Sequence, residues 1–337
     1  MNDNEFADEL APGATNAPVI VGLYTLVLVL LLAFFCVPNL LTGDFTLESH
    51  ILWQLKLPIA LTAIFVGASI AAASAALQVT LNNPLADPGI IGISSGASLM
   101  AAVFLFVFSS LGIAANSALY EYSVYWMPVL CFIGACLSGL LIFGLARKLG
   151  QSIASFILAG IAVSTAFSAL IGWLYLIAPP NALQSLTFWL MGSLQFTDYN
   201  SLLVAGSVIS IALFCLLRLS SKLNLLYLGH ASAHLAGVNA TRLQTQIFLL
   251  VAVLVGMSVS IAGSIAFLGL LVPHAVRRLH GYDNRLVLTC SAILGASIIL
   301  LCAIINEYMF NTSVPLSMLT ASIGAPVFIY VLFKKAS

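Results

Sequence analysis

Apolar residues run in long, unbroken stretches along most of this chain. A helix needs about 20 such residues to cross about 30 Å of hydrocarbon. The stretches predict ten membrane-spanning helices, at residues 19–37, 57–81, 90–108, 124–146, 153–178, 201–217, 243–262, 264–280, 286–305 and 315–333. The eighth is short and contains Pro273. Between the fifth and sixth, Leu183 to Phe196 follows Pro179-Pro180 and is too short to span. It predicts a helix lying at the membrane surface or dipping back into it. Strands of a β-barrel would alternate in polarity over about ten residues, and these runs do not.

Composition turns that pattern into a class. Of 337 residues, 61% are apolar and 7% charged. A soluble domain carries about 25% charged residues, so this chain cannot cover a water-facing surface. The fold class expected is an all-α polytopic membrane protein. Eleven acidic and eleven basic side chains cancel, which removes any global attraction to nucleic acid. Cys36, Cys131, Cys136, Cys215, Cys290 and Cys302 sit within or beside apolar runs, without CxxC spacing or a His cluster. They read as small buried apolar residues, with no metal site. The first 18 residues hold Asp3, Glu5, Asp8 and Glu9 and no base, which is not the pattern of a signal peptide. They read as a short tail, 1–18, ahead of a single transmembrane domain at 19–335.

Charge placement sets an orientation. With ten spans, Arg147, Lys148, Arg218, Lys222, Arg242, Arg277, Arg278, Arg285, Lys334 and Lys335 share the side of the termini, and only Lys56 lies opposite. The basic side is expected to be cytoplasmic, with both termini there.

The second span is dense in small residues, from Gly67 to Ala76, and similar spacing recurs at Gly134/Ser138 and Gly256/Ser260. Small residues let helix backbones approach closely in lipid, so this span is expected inside the bundle.

Little in the chain points to covalent chemistry. No G-x-x-x-x-G-K-[ST] phosphate-binding loop occurs, so any ATP must be bound by another chain. Gly92-Ile93-Ser94-Ser95-Gly96 matches a nucleophile elbow, but it opens a transmembrane helix instead of following a strand; helix packing through Gly92 and Gly96 explains it better. The middles of the spans hold almost no ionisable group apart from His274 beside Pro273, with Glu307 at the end of the ninth. Ion-coupled carriers place such groups deep in the membrane, so this class is disfavoured.

Two segments on the basic side are polar in an organised way. Asn82 to Gly89 holds two prolines and an Asn-Pro step, which impose a fixed turn. The segment 220–242 predicts two short helices stopped at Gly229 and Gly237. A transporter without its own motor needs a surface to receive one, and this segment is the best candidate.

At these residues the chain resembles the permease subunit of bacterial ABC importers for ferric siderophores, haem and cobalamin. The likeness runs from about residue 50 to 334. It is carried by Leu57-Pro58, Gly67-Ala68 through Gln78, Asn83-Pro84-Leu85-Ala86-Asp87-Pro88 and Gly92-x-Ser94-x-Gly96-Ala97. It continues through Leu158 to Ala162, Phe188 to Ser193, Leu228-Gly229 with Gly237-Val238, Gly263 to His274 and Gly324-Ala325-Pro326. The resemblance implies a type II ABC importer architecture of ten helices per subunit, with two permease subunits and two separate ATPases that hold ATP and Mg²⁺. It also implies a periplasmic binding protein that delivers the substrate. No cofactor is implied in this chain, which is not itself an enzyme.

By resemblance, Leu228, Gly229, His230, Ala233, Gly237 and Val238 belong to coupling helices that fit a groove on the ATPase. The turn Asn83, Pro84, Asp87 and Pro88 faces the same side. From location alone, Gln151, Ser152 and Ser155 border an inner gate. The chain departs from the family at His230, where Glu is frequent. It departs again on the outer side, where Lys56, Ile59 and Asn306 stand where arginines are frequent. Lys56 is then the one base left to dock the binding protein, which motivates the expectation of a heterodimer with a more basic second permease.

Overall fold

A computed structural model describes residues 17–36, 50–110, 118–150, 152–194, 198–310 and 314–335. The helix α1 (Ala17–Cys36) is followed by a π-helical turn at Leu52–Lys56 that runs straight into α2 (Leu57–Thr80). Then come α3 (Pro88–Ile91), α4 (Ile93–Ser110), α5 (Ala118–Lys148), α6 (Ile153–Ile177), α7 (Pro180–Leu190) and α8 (Tyr199–Arg218). Two short helices, α9 (Ser220–Tyr227) and α10 (His230–Leu235), precede α11 (Ala240–Ala262), α12 (Leu268–His280), α13 (Asn284–Met309) and α14 (Leu316–Lys335).

Eight helices among the described residues are long and apolar enough to cross a membrane. They correspond to the first seven expected spans and the ninth; α14, with 20 residues, corresponds to the tenth. The eighth span departs from a simple helix. Residues 263–267 are not helical, because Gly263 (φ 71°) and Phe267 (φ 64°) both leave the right-handed region. The helix α12 itself has 13 residues, about 20 Å of rise. The preceding five residues add at most about 16 Å. Together they reach as far as a full span, but as a broken one.

The small residues place α2 at the centre. Every position from Val66 to Thr80 is buried. A Cβ on Gly67 would lie 2.3 Å from the Gly295 carbonyl oxygen of α13, so the two backbones touch. The same device joins α4 to α5, where a Cβ on Gly96 would meet the Gly134 oxygen at 2.0 Å. Ser138 donates to the Gly92 carbonyl at 2.7 Å, so the Gly92–Gly96 motif is a packing element, as its position predicts. Gly256 of α11 faces Phe132 and Ala135 of α5. At the other extreme α1 buries only Phe35 and packs chiefly along α13. The surface helix expected after Pro179-Pro180 is α7, which buries Ala182 and Leu186.

Candidate functional site

The end of the bundle that carries Arg147, Lys148, Arg218, Lys222, Arg242, Arg277, Arg278 and Arg285 is the basic end. It gathers the C-terminus of α2 and the start of α11, where Gln244 donates to the Thr80 carbonyl at 3.3 Å. The helices α9 and α10 stand where the glycine spacing predicts them.

Gly229 separates the two with φ 104° and ψ 161°. Nothing lies within 4 Å of a Cβ built there, so the backbone conformation and not crowding demands glycine. α10 ends in a Schellman motif. The Val238 amide donates to Ala233 O at 2.9 Å and the Gly237 amide to His234 O at 3.0 Å, with Gly237 at φ 75°. Ala233 is fully buried, whereas Leu228 and Leu235 are exposed at 41% and 88%. Two leucines therefore project from a rigid double turn, a shape suited to a partner's groove. His230 opens α10; its side chain lies outside the described residues.

This double turn is tied to the bundle by a network that spacing alone does not reveal. Asn224 of α9 donates through Nδ2 to Asp283 Oδ1 at 2.8 Å. Its Oδ1 accepts from the Asn284 backbone amide at 2.7 Å and from Asn284 Nδ2 at 2.9 Å. Asn284 Oδ1 in turn accepts from Arg277 Nη2 at 3.0 Å, and that nitrogen also donates to the Ala75 carbonyl in α2 at 3.1 Å. The rings of Tyr227 and Tyr282 stack 5.5 Å apart. A hydrogen-bonded path thus runs from α9 through the α12–α13 elbow into the central helix. In the sequence, Arg277 stands out only as one base among many. The available signal was Asn224 inside the otherwise apolar run Leu223–Tyr227, together with the Asp283-Asn284 helix start.

The turn between α2 and α3 is equally fixed. Asn82 sits at φ 43°. The Asn83 amide donates to Gln78 O at 2.9 Å, and Asn83 Oδ1 accepts from the Leu85 amide at 2.9 Å. Asp87 caps α3, accepting from the Gly89 and Ile90 amides at 2.8 and 3.3 Å, and Pro88 occupies the first helical position. Asp87 keeps part of its surface, but its carboxylate faces inward: Oδ2 lies against Gly269, and Ser74 reaches it at 3.5 Å. Burial pushes this carboxyl up, while the two amides and the Ser74 hydroxyl oppose that shift.

The serines expected at an inner gate cap α6. Ser152 Oγ accepts from the Ser155 amide at 3.1 Å and lies 2.7 Å from Ser155 Oγ, which donates to Leu149 O at 2.8 Å. Gln151 lies outside the described residues.

Lys56 lies at the opposite end of α2. Only 7% of it is exposed. Its ammonium lies 2.6 Å from Glu307, donates to the Phe35 carbonyl at 3.3 Å and sits over the Phe35 and Tyr308 rings at 5.3 and 5.5 Å. It joins α1, α2 and α13. Asn306, which stands where the family often has arginine, holds the backbone of Val314: its Nδ2 donates to the Val314 carbonyl at 2.8 Å and its Oδ1 accepts from the Val314 amide at 2.9 Å.

The FecCD transport family matches residues 14–334. The chain belongs to this family. It is 35% identical to the vitamin B12 import system permease BtuC of Vibrio cholerae, over 89% of this chain and 90% of that one. It is also 35% identical to the hemin transport system permease HmuU of Yersinia pestis, over 85% and 84%. Among solved structures it matches one described as a metal-chelate type ABC transporter in an inward-facing conformation. The TM-score is 0.83 at 31% identity, over 94% of this chain and 99% of that one. Membership makes this chain a membrane permease of the type II ABC importer architecture for iron complexes, haem or cobalamin, not an ATPase.

Proposed function

We propose that the chain moves an iron complex, most simply a ferric siderophore, inward across the bacterial inner membrane by alternating access, with the basic end and both termini in the cytoplasm. The observation that carries the coupling role is the α9–α10 double turn, rigid in itself and hydrogen-bonded through Asn224, Asn284 and Arg277 to α2. Closure of two partner ATPases, which bind ATP and Mg²⁺, would push on Leu228 to Val238 and reach the packed centre of each permease subunit. The turn Asn83 to Pro88 lies on the same face, and Ser152 and Ser155 hold the cytoplasmic start of α6. A periplasmic binding protein delivers the cargo to the Lys56 end. There Glu307 neutralises the ammonium, so Lys56 presents little free charge, which favours a second permease carrying the docking bases. The metal-chelate neighbour supports an iron complex; the relatives named for vitamin B12 and hemin support cobalamin and haem as the second reading.

The test is reconstitution into liposomes with the cognate ATPase and binding protein, presenting ferric siderophore, haem and cobalamin in turn. ATP-dependent uptake of the siderophore alone is expected. Uptake driven by an ion gradient without ATPase would defeat the reading. A two-copy complex of this chain that transports with the binding protein would defeat the heterodimer.

A further inference from the structure

A cavity of about 420 Å³ opens at the basic end, between the α2–α3 turn, the end of α9 and the end of α12. Its lining includes Arg277, Arg278 and His274 together with the amide side chains of Asn82 and Asn83 and the stacked Tyr227–Tyr282 pair. Among the described residues, no Asp or Glu lines it. Among the described residues, no carboxylate is within salt-bridge distance of either guanidinium. The two acids on the surrounding segments are engaged elsewhere. Asp283 accepts from Asn224 and the Arg285 amide; Asp87 caps α3 and faces Ser74. Arg277 Nη1 is buried without a hydrogen-bond partner among the described residues.

Two guanidinium charges in one concave lining, with no counter-charge, raise the potential inside it and favour an anion. Arg277 contributes mainly uncompensated charge, because its free nitrogen is enclosed; exposed Arg278 and Asn82 supply donors within reach. A space of about 420 Å³ admits a phosphate, either free or with ester substituents. Guanidinium forks match phosphate oxygens. Tyr282, exposed at 37%, lines the site with aromatic surface of the kind that meets a lipid at headgroup level.

We propose that this cavity binds a phosphate group, either free or as an anionic lipid headgroup. Basic cavities between transmembrane helices, on the side facing the anionic leaflet, have the chemistry to hold such headgroups. The proposal does not depend on the transported cargo, and its test needs no substrate.

The purified permease in neutral detergent is titrated with inorganic phosphate at ionic strength balanced with chloride, following the thermal unfolding midpoint. In parallel it is placed in bilayer discs of phosphatidylglycerol or phosphatidylcholine, and retained lipid is weighed by native mass spectrometry. Phosphate or phosphatidylglycerol is expected to bind the wild type, and Arg278→Gln to weaken that binding at least about tenfold, the loss of one charge-assisted hydrogen bond. Arg278 is exposed, so the variant folds; Arg277→Lys serves as a second probe that keeps the charge. A response to phosphate without lipid retention identifies free phosphate as the source, and the converse identifies lipid. Equal responses of wild type and Arg278→Gln to both probes would overturn the proposal. So would silence to both probes accompanied by weaker ATPase binding in Arg278→Gln, which would assign the cavity to an acidic side chain of the partner.

Discussion

Asn224 and Asp283, 59 positions apart, meet through a 2.8 Å hydrogen bond that pins α9 to the α12–α13 elbow. The carbonyl oxygen of the same Asn224 amide takes two more donors from Asn284. One side chain thus closes the joint between the exposed double turn and the bundle. Asn224→Ala leaves Asp283 and Asn284 without these partners, at a cost of about 1–3 kcal/mol. Expected is a permease that still assembles and supports ATP hydrolysis but transports less per ATP. The check is the ratio of uptake to hydrolysis in liposomes; an unchanged ratio would remove Asn224 from the coupling path.

Gly229 and Gly237 keep the double turn in shape through backbone conformation alone, since a Cβ at either would meet open space. Gly229→Pro and Gly237→Pro force φ near −65° where 104° and 75° are needed. Both variants are expected to uncouple hydrolysis from transport while the complex still forms. Wild-type uptake in both would count against the coupling role.

The Lys56–Glu307 pair gives an asymmetric prediction. Lys56 is the more enclosed partner, at 9% side-chain exposure against 34% for Glu307. Glu307→Gln strands a buried ammonium, which costs up to about 3–5 kcal/mol. Lys56→Met strands a carboxylate that water still reaches, and should cost less. The double variant is expected to recover part of the loss. Unfolding midpoints of the three proteins decide this, and equal single-variant losses would contradict the burial difference.

Gly67→Ala should prevent α2 and α13 from closing, because the new methyl falls 2.3 Å from the Gly295 oxygen and both atoms sit on rigid helices. A loss beyond the usual 1–3 kcal/mol of an overpacked core is expected. Gly144→Ala, with nothing within 4 Å, should be neutral or slightly stabilising through helix propensity. Size-exclusion profiles of the two variants separate the cases.

Much of the fold was legible because lipid makes simple demands. Length and apolarity mark the spans, and small residues mark α2 and the α4–α5 contact. Prolines and glycines mark the turns at Asn83–Pro88 and Gly229. The eighth span was legible as apolar but not as broken, since its shape rests on the left-handed backbone of Phe267, which a phenylalanine gives no reason to expect. Lys56 read as a free outer base because Glu307 lies 251 positions away. The pairings of the Asn224–Asn284–Arg277 path were hidden for the same reason: its last link, from Arg277 to Ala75, spans 202 positions. Local pattern carries no information about such pairings. The serines at 152 and 155, singled out by their location, also have the spacing of a helix cap, and they cap the start of α6.

The non-helical stretch before α12 has a consequence for how the protein is made. Its backbone cannot satisfy itself, and hydrocarbon offers no substitute. Part of the help comes from residues synthesised later: Ser317 donates to the Ser264 carbonyl, while the adjoining Gly192 and Met191 carbonyls accept from Leu316 and Ser317. The ribosome therefore delivers this stretch to the membrane before its partners exist. Truncation before Leu316 removes these donors and is expected to leave residues 263–280 open to protease.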